Sequence, residues 1–89
     1  MTANSDGSKD MYMLAEDFET QLLRLYGSPV LSGENLSTAL GYSSLDAFRQ
    51  AIHRKTVPVP LYTMENRRGR YAYVKDVADF LATMSHKQP

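Results

Sequence analysis

The chain contains no cysteine, so neither a disulfide framework nor a cysteine-bearing zinc site can stand in for a hydrophobic core. The absence is also compatible with a reducing cytoplasm. There are two histidines, His53 and His86, in stretches that read as unrelated elements, which leaves no imidazole cluster for a metal. No pair of carboxylates and no hydroxyl stands at a spacing that suggests acid–base or nucleophilic catalysis. No glycine-rich phosphate loop follows a strand-like run. An enzyme is therefore not expected, and neither is a cofactor or a metal site; Asp76 and Asp79 read as one solvated helix face. Long apolar runs are missing too, and the first residues, MTANSDGSKD, have neither the basic region nor the apolar core of a signal peptide. A soluble, cytoplasmic protein with no membrane partner is the expectation.

With 89 residues, one small domain is the prior, with little stability to spare. The formal net charge is zero, but it is unevenly spread. Residues 1–27 carry two basic and five acidic side chains, a net of −3, and residues 28–89 carry a net of +3. Within 49–75 seven basic side chains stand against Glu65 alone, a net of +6. Such asymmetry fits a basic face on a neutral protein, as nucleic-acid binding requires.

Residues 1–9 are small and polar and read as a disordered tail. From 10 to 27 the pattern is helical, with Met11, Leu14, Phe18, Leu22 and Leu25 at helical spacing and Asp10 as N-cap. Gly27 and Pro29 stop this helix. Leu23 and Tyr26 lie off the main stripe, which leaves two readings: all of the helix packs on its own core, or part of it pairs with a second copy as a homodimer.

The stretch 31–55 reads as two short helices joined by a tight turn at Gly41-Tyr42. Ser32 caps the first, about Gly33 to Leu40, whose Leu36, Ala39 and Leu40 face inward. Gly41 ends it in the left-handed conformation. Ser43-Ser44-Leu45-Asp46 matches a capping box, with Ser43 as the cap and Asp46 as its acidic partner and not a base reader. In the second helix, residues 43–55, Leu45, Phe48 and Ile52 form the buried stripe, with Ala51 beside it. The opposite face shows Ala47, Gln50, His53 and Arg54, with Arg49 on the flank. It holds no large apolar residue, and its contents suit a DNA groove. Glutamine can pair bidentately with adenine and arginine with guanine or phosphate, while a small Ala47 permits close approach. Ser43 and Ser44, with the free amides of a helix start, suit a phosphate.

Thr56 to Pro60 ends the helix on an extended path; the sequence leaves open whether Pro58 or Pro60 is cis. Residues 61–74 read as a hairpin, strands Leu61–Glu65 and Arg70–Val74 joined by Asn66-Arg67-Arg68-Gly69, with Gly69 supplying a positive φ. Arg67, Arg68 and Arg70 then sit at or beside its tip, where they would follow the phosphate backbone or enter a minor groove. Tyr71 and Tyr73 share one strand face and Ala72 and Val74 the other; which face covers the helices stays open. A last helix, 75–84, has Val77, Phe80, Leu81 and Met84 on its apolar side, and 85–89 reads as a frayed tail.

The order of these elements is that of a winged helix-turn-helix, an α+β, mainly α fold with a two-stranded hairpin wing, here with an extra N-terminal helix. The segment Val30–Ala82 resembles the small winged-helix domains of phage and plasmid excisionases and their regulator relatives, related to the MerR-type DNA-binding domain. The resemblance rests on Leu31-Ser32, Leu36 and Leu40-Gly41, then Ser43/Ser44, Phe48 and Arg54, then Val57-Pro58. The run Arg67-Arg68-Gly69-Arg70 and Lys75-Asp76-Val77-Ala78-Asp79-Phe80-Leu81 complete it. It implies sequence-specific binding of double-stranded DNA without catalysis, either as a transcriptional regulator or as a recombination directionality factor with a recombinase or other protein partner. It also implies a bacterial, phage- or plasmid-borne chain associated with the nucleoid. By this resemblance Ser44, Arg49, Gln50, His53 and Arg54 approach the major groove, and Arg67, Arg68 and Arg70 the adjacent backbone or minor groove. This chain departs from the family at the helix exit, where Lys55-Thr56 replace the usual glycine before the proline, and in a longer wing that includes Pro60. The alternative function is a protein-interaction module that keeps the helix-turn-helix shape and docks through the acidic N-terminal helix.

Overall fold

The computed structural model describes residues 7–87, with side chains from Met11 to His86. It is a small α+β, mainly helical unit: α1 (Gly7–Tyr26), β1 (Val30–Ser32), α2 (Gly33–Leu40), α3 (Leu45–Arg54), β2 (Tyr71–Tyr73) and α4 (Val74–Lys87). Helix α1 begins earlier than the sequence suggests. Asp10 lies inside it and not at its start, and residues 7–9 belong to the helix; the rest of the expected tail, 1–6, lies outside the described residues. Likewise α4 continues through residues 85–87, read as frayed, while 88–89 lie outside the description.

One core joins all six elements. Leu22 of α1, Leu31 of β1, Leu36 and Leu40 of α2, Phe48 of α3, Ala72 of β2 and Val74, Val77 and Ala78 of α4 close on one another. Val59 plugs this core from the loop after α3. Leu36, Ala72 and Val77 have no exposed surface. This settles the open question about the strand: the Ala72/Val74 face covers the helices, and Tyr73 stands half exposed on the other. Helix α1 packs along α4, whereas α3 packs on α2. Ala15 and Ala82 are buried and line one groove at the α1–α4 seam, where small side chains let the helices approach.

The expected N-terminal stripe needs one correction. Leu22 and Ala15 are buried and Phe18 is half-buried, but Leu25 is 72% exposed. Helical angle is not the reason, since Leu25 lies only about 20° from half-buried Phe18; Leu25 stands in the last turn of α1, next to its final residue Tyr26.

The hairpin is also corrected. β2 pairs antiparallel with β1, Val30 opposite Tyr73, Leu31 opposite Ala72 and Ser32 opposite Tyr71. The stretch Leu61–Glu65 is not a strand. It touches the other side of β2 through a single bridge, Tyr62 and Tyr71 exchanging two N–H···O bonds of 2.8 Å. The register explains why. Continued by two residues, it sets Pro60 opposite Tyr73, where the ladder needs an N–H that proline lacks. At the other end a turn intervenes: the Arg67 N–H donates to the Met64 carbonyl at 3.1 Å, with Asn66 at φ 64. The reversal is thus centred on Glu65-Asn66 and not on 66–69, although Gly69 does take a positive φ of 90. There is no cis peptide bond among the described residues, so Pro58 and Pro60 are both trans.

The free edge of β1 is closed locally. The Ser28 hydroxyl donates to the Val30 carbonyl at 2.9 Å and accepts from the Val30 N–H at 3.2 Å. One side chain thereby satisfies both backbone groups that Val30 would offer to an added strand.

Candidate nucleic-acid interface

Helix α3 is held by a turn that leaves little freedom. Gly41 takes φ 88, as expected, and its N–H donates to the Thr38 carbonyl at 3.0 Å. The Tyr42 N–H donates to Ser37 O at 3.0 Å. Ser37 is a buried polar residue, 2% exposed, and its hydroxyl donates across the turn to the Ser44 carbonyl at 3.1 Å. Tyr42 and Phe48 pack ring on ring, centroids 5.4 Å apart, which adds to area burial. The end of α2 and the start of α3 are thus locked from both sides.

The cap of α3 is Ser44, not Ser43. Its side chain accepts the Ala47 N–H at 3.0 Å, and the helix begins at Leu45. The capping box is overturned by this one-residue shift. Asp46 is then the second helical residue, and Ala47 occupies the position from which an acid would reach back. Asp46 is exposed, with Gln50 and His53 following at intervals of four and three residues on the same side. The polar face of α3 therefore has Asp46, Gln50 and His53 along its middle, with Arg49 and Arg54 on opposite flanks; all five are exposed. Asp46 favours the positive end of the helix but repels a phosphate there, which weakens the reading of Ser43 and Ser44 as a phosphate seat. Ser43 is exposed, and the Ser44 oxygen is occupied as a cap.

At the other end, Lys55 takes φ 61, ψ 39, the left-handed position that glycine usually fills. The next residue secures it: Thr56 donates to the Ala51 carbonyl through both its N–H at 2.9 Å and its hydroxyl at 3.3 Å. The departure noted at Lys55-Thr56 thus lies at a position where the backbone still makes the glycine-like turn.

Beyond Lys55 the chain passes back alongside α3. Two grooves open between them. The first, about 230 Å³, is lined by Leu45, Phe48, Arg49 and Ile52 of α3 together with Gly33, Gly69 and Arg70. The second, about 310 Å³, continues past Ile52 to Lys55, Val57, Val59 and Leu61, and shares Arg70. Arg49 and Arg70, 21 positions apart in the chain, are therefore neighbours across one groove. Arg67 and Arg68 are exposed beside the Glu65-Asn66 turn and line neither groove. Lys55, which the sequence counted only among the basic residues of 49–75, lines the second groove, and Asp46, read there as a cap partner, stands on the polar face. Residue-type periodicity from a start at Leu45 places Asp46 there, once the cap is put at Ser44.

Among the described residues no helix is long and apolar enough to cross a membrane, and no three His, Asp or Glu side chains gather to hold a metal ion. Comparison with family models, with curated proteins and with solved structures found no match for this chain.

Proposed function

We propose that this chain is a winged helix-turn-helix protein that binds double-stranded DNA, serving as a transcriptional regulator or as an excisionase-like recombination directionality factor. The observation that carries the reading is the placement of an exposed polar helix face beside an arginine-bearing loop, with Arg49 and Arg70 lining one groove. Helix α3 would present Asp46, Gln50 and His53 to base edges in the major groove. The segment 61–70 would act as the wing, with Arg67, Arg68 and Arg70 on the backbone or in a minor groove. The acidic helix α1 packs chiefly along α4.

The experiment is a duplex-binding titration with two variants. Arg67→Ala with Arg68→Ala should weaken binding to all sequences alike and flatten the salt dependence. Gln50→Ala should change which sequence is preferred, since a good base contact gives roughly 1–3 kcal/mol of discrimination. Wild-type affinity and preference in both would rule out this assignment of helix and wing.

A second reading is favoured by one observation. Helix α1 exposes Tyr12 (68%) and Leu23 (39%), eleven residues apart and so within about 20° of one another on an acidic helix, as a protein-docking module or a homodimer seam would. Failure to bind duplex at low salt, together with a discrete protein complex, would support that module instead. Sedimentation separates monomer from dimer.

A further inference from the structure

The two grooves beside α3 differ from the other clefts of the molecule in the sign of their charge. Arg49, Arg70 and Lys55 line them, and no carboxylate does. Each of three clefts along α1 and α4 carries at least one: Asp79 in the first, Glu19 and Asp76 in the second, Glu16, Glu19 and Asp79 in the third. The two basic grooves share Ile52 and Arg70, so they form one furrow along the flank of α3. Apolar side chains line it as well, from Leu45 through Ile52 to Leu61. Its length is set by the helix. Arg49 and Lys55 are six residues apart, about 9 Å of axial rise, enough for about two adjacent phosphates of one strand, whose separation of roughly 6–7 Å exceeds their 3.4 Å rise along the DNA axis.

A base-reading residue needs to stand at the middle of the face that enters the groove, and Arg49 does not stand there. It leans to the flank, against the loop, while Asp46, Gln50 and His53 hold the middle. We infer that the furrow runs along the sugar–phosphate backbone of one DNA strand, with Arg49, Lys55 and Arg70 meeting its phosphates. This rests on the duplex-binding reading above and deepens it. Arg49 becomes a phosphate contact and not a base reader, Lys55 joins it, and sequence discrimination contracts to the row Asp46, Gln50 and His53. A duplex strand turns its phosphates outward, and the cations lining the furrow are what they would meet.

The test uses the full chain and two duplexes, one recovered by selection from a random-sequence pool and one scrambled. Arg49→Ala, Lys55→Ala and Arg70→Ala are each titrated on both across a range of salt. Each should weaken both duplexes by the same factor, leave their affinity ratio unchanged, and reduce the slope of log K against log salt by about 1. A second arm uses the selected duplex with neutral methylphosphonate linkages placed one position at a time. At the position that Arg49 grips, wild type and Arg49→Ala should bind equally, the charge having been removed from either side. A change in the affinity ratio with Arg49→Ala, or no linkage that abolishes its effect, would overturn the furrow while leaving duplex binding standing. Absence of duplex binding by the wild-type chain would overturn both. Thermal melts of each variant confirm that these exposed side chains were removed from a folded protein.

Discussion

The half of the molecule built on α1 and α4 and the half built on α3 and the loop after it solve different problems. In the first half two long helices meet through alanines and half-buried aliphatic and aromatic side chains, and the strongest packing is local to that seam. In the second half the elements are short. α3 has ten residues, below the length at which an isolated helix is stable in water. It is held instead by specific devices: the Ser44 cap, the Ser37 hydroxyl across the turn, the Phe48 anchor and the left-handed Lys55. The comparison teaches that the frame tolerates loose ends because its burial is distributed. The candidate interface depends on a few hydrogen bonds and two backbone positions.

Four outcomes would break or sharpen that contrast. The largest effect is expected at the core the two halves share. Leu36→Ala should cost about 2–5 kcal/mol, read as a fall in melting temperature, because Leu36 has no exposed surface. Leu25→Ala, at a position 72% exposed, should stay within about 0.5 kcal/mol. A large loss at Leu25 would mean that α1 is covered by something, a second copy first of all.

Next comes the cap. Ser44→Ala should cost about 1 kcal/mol by stranding the Ala47 N–H, while Ser43→Ala should be nearly neutral in urea unfolding. Equal losses at the two serines would restore the capping box that the geometry excludes.

Lys55 gives an effect of opposite sign on the two halves of the problem. A non-glycine residue held left-handed costs about 1 kcal/mol, so Lys55→Gly should raise stability by up to about that amount. It should also weaken duplex binding, since a cation of the furrow is lost. Stability and affinity moving together would show that Lys55 serves the fold alone.

The smallest effect is expected at Pro60. Pro60→Val restores a donor opposite Tyr73, worth about 0.5–1.5 kcal/mol, but it frees the unfolded chain, at a cost of about 0.4–1 kcal/mol. These nearly cancel in stability. Hydrogen exchange should still reveal protection at the new amide of residue 60, and rapid exchange there would mean that something other than proline stops the ladder.

The longer helices were legible because periodicity over ten or more residues averages out local ambiguity, and α2, with eight residues, because Ser32 and Gly41 bracket it. Glycine at 41 and 69 was legible because a turn demands a positive φ. What local pattern could not carry was register and partner choice. Leu61–Glu65 has strand-like residues, but whether it pairs is decided by Pro60 landing opposite Tyr73. β1 has three residues and acquires its meaning from a partner some forty positions away. Spacing alone chose Ser43, three residues before Asp46, and misled: the cap is Ser44, and Ser37, a residue from the preceding helix, accompanies it by bonding the Ser44 carbonyl. The polar residues of α3 and the arginines of the loop were legible as chemistry. That Arg49 and Arg70 would share a groove was not, because it depends on the path of the chain between Thr56 and Gly69.

The central claim is tested most directly by measuring the affinity of the wild-type chain for duplex DNA across a range of salt. Log K should fall linearly with log salt, with a slope of roughly −4 to −5 if five or so cations displace counterions at about 0.9 each. A chain that does not bind duplex at low salt, or binds it with no dependence on salt, would contradict it.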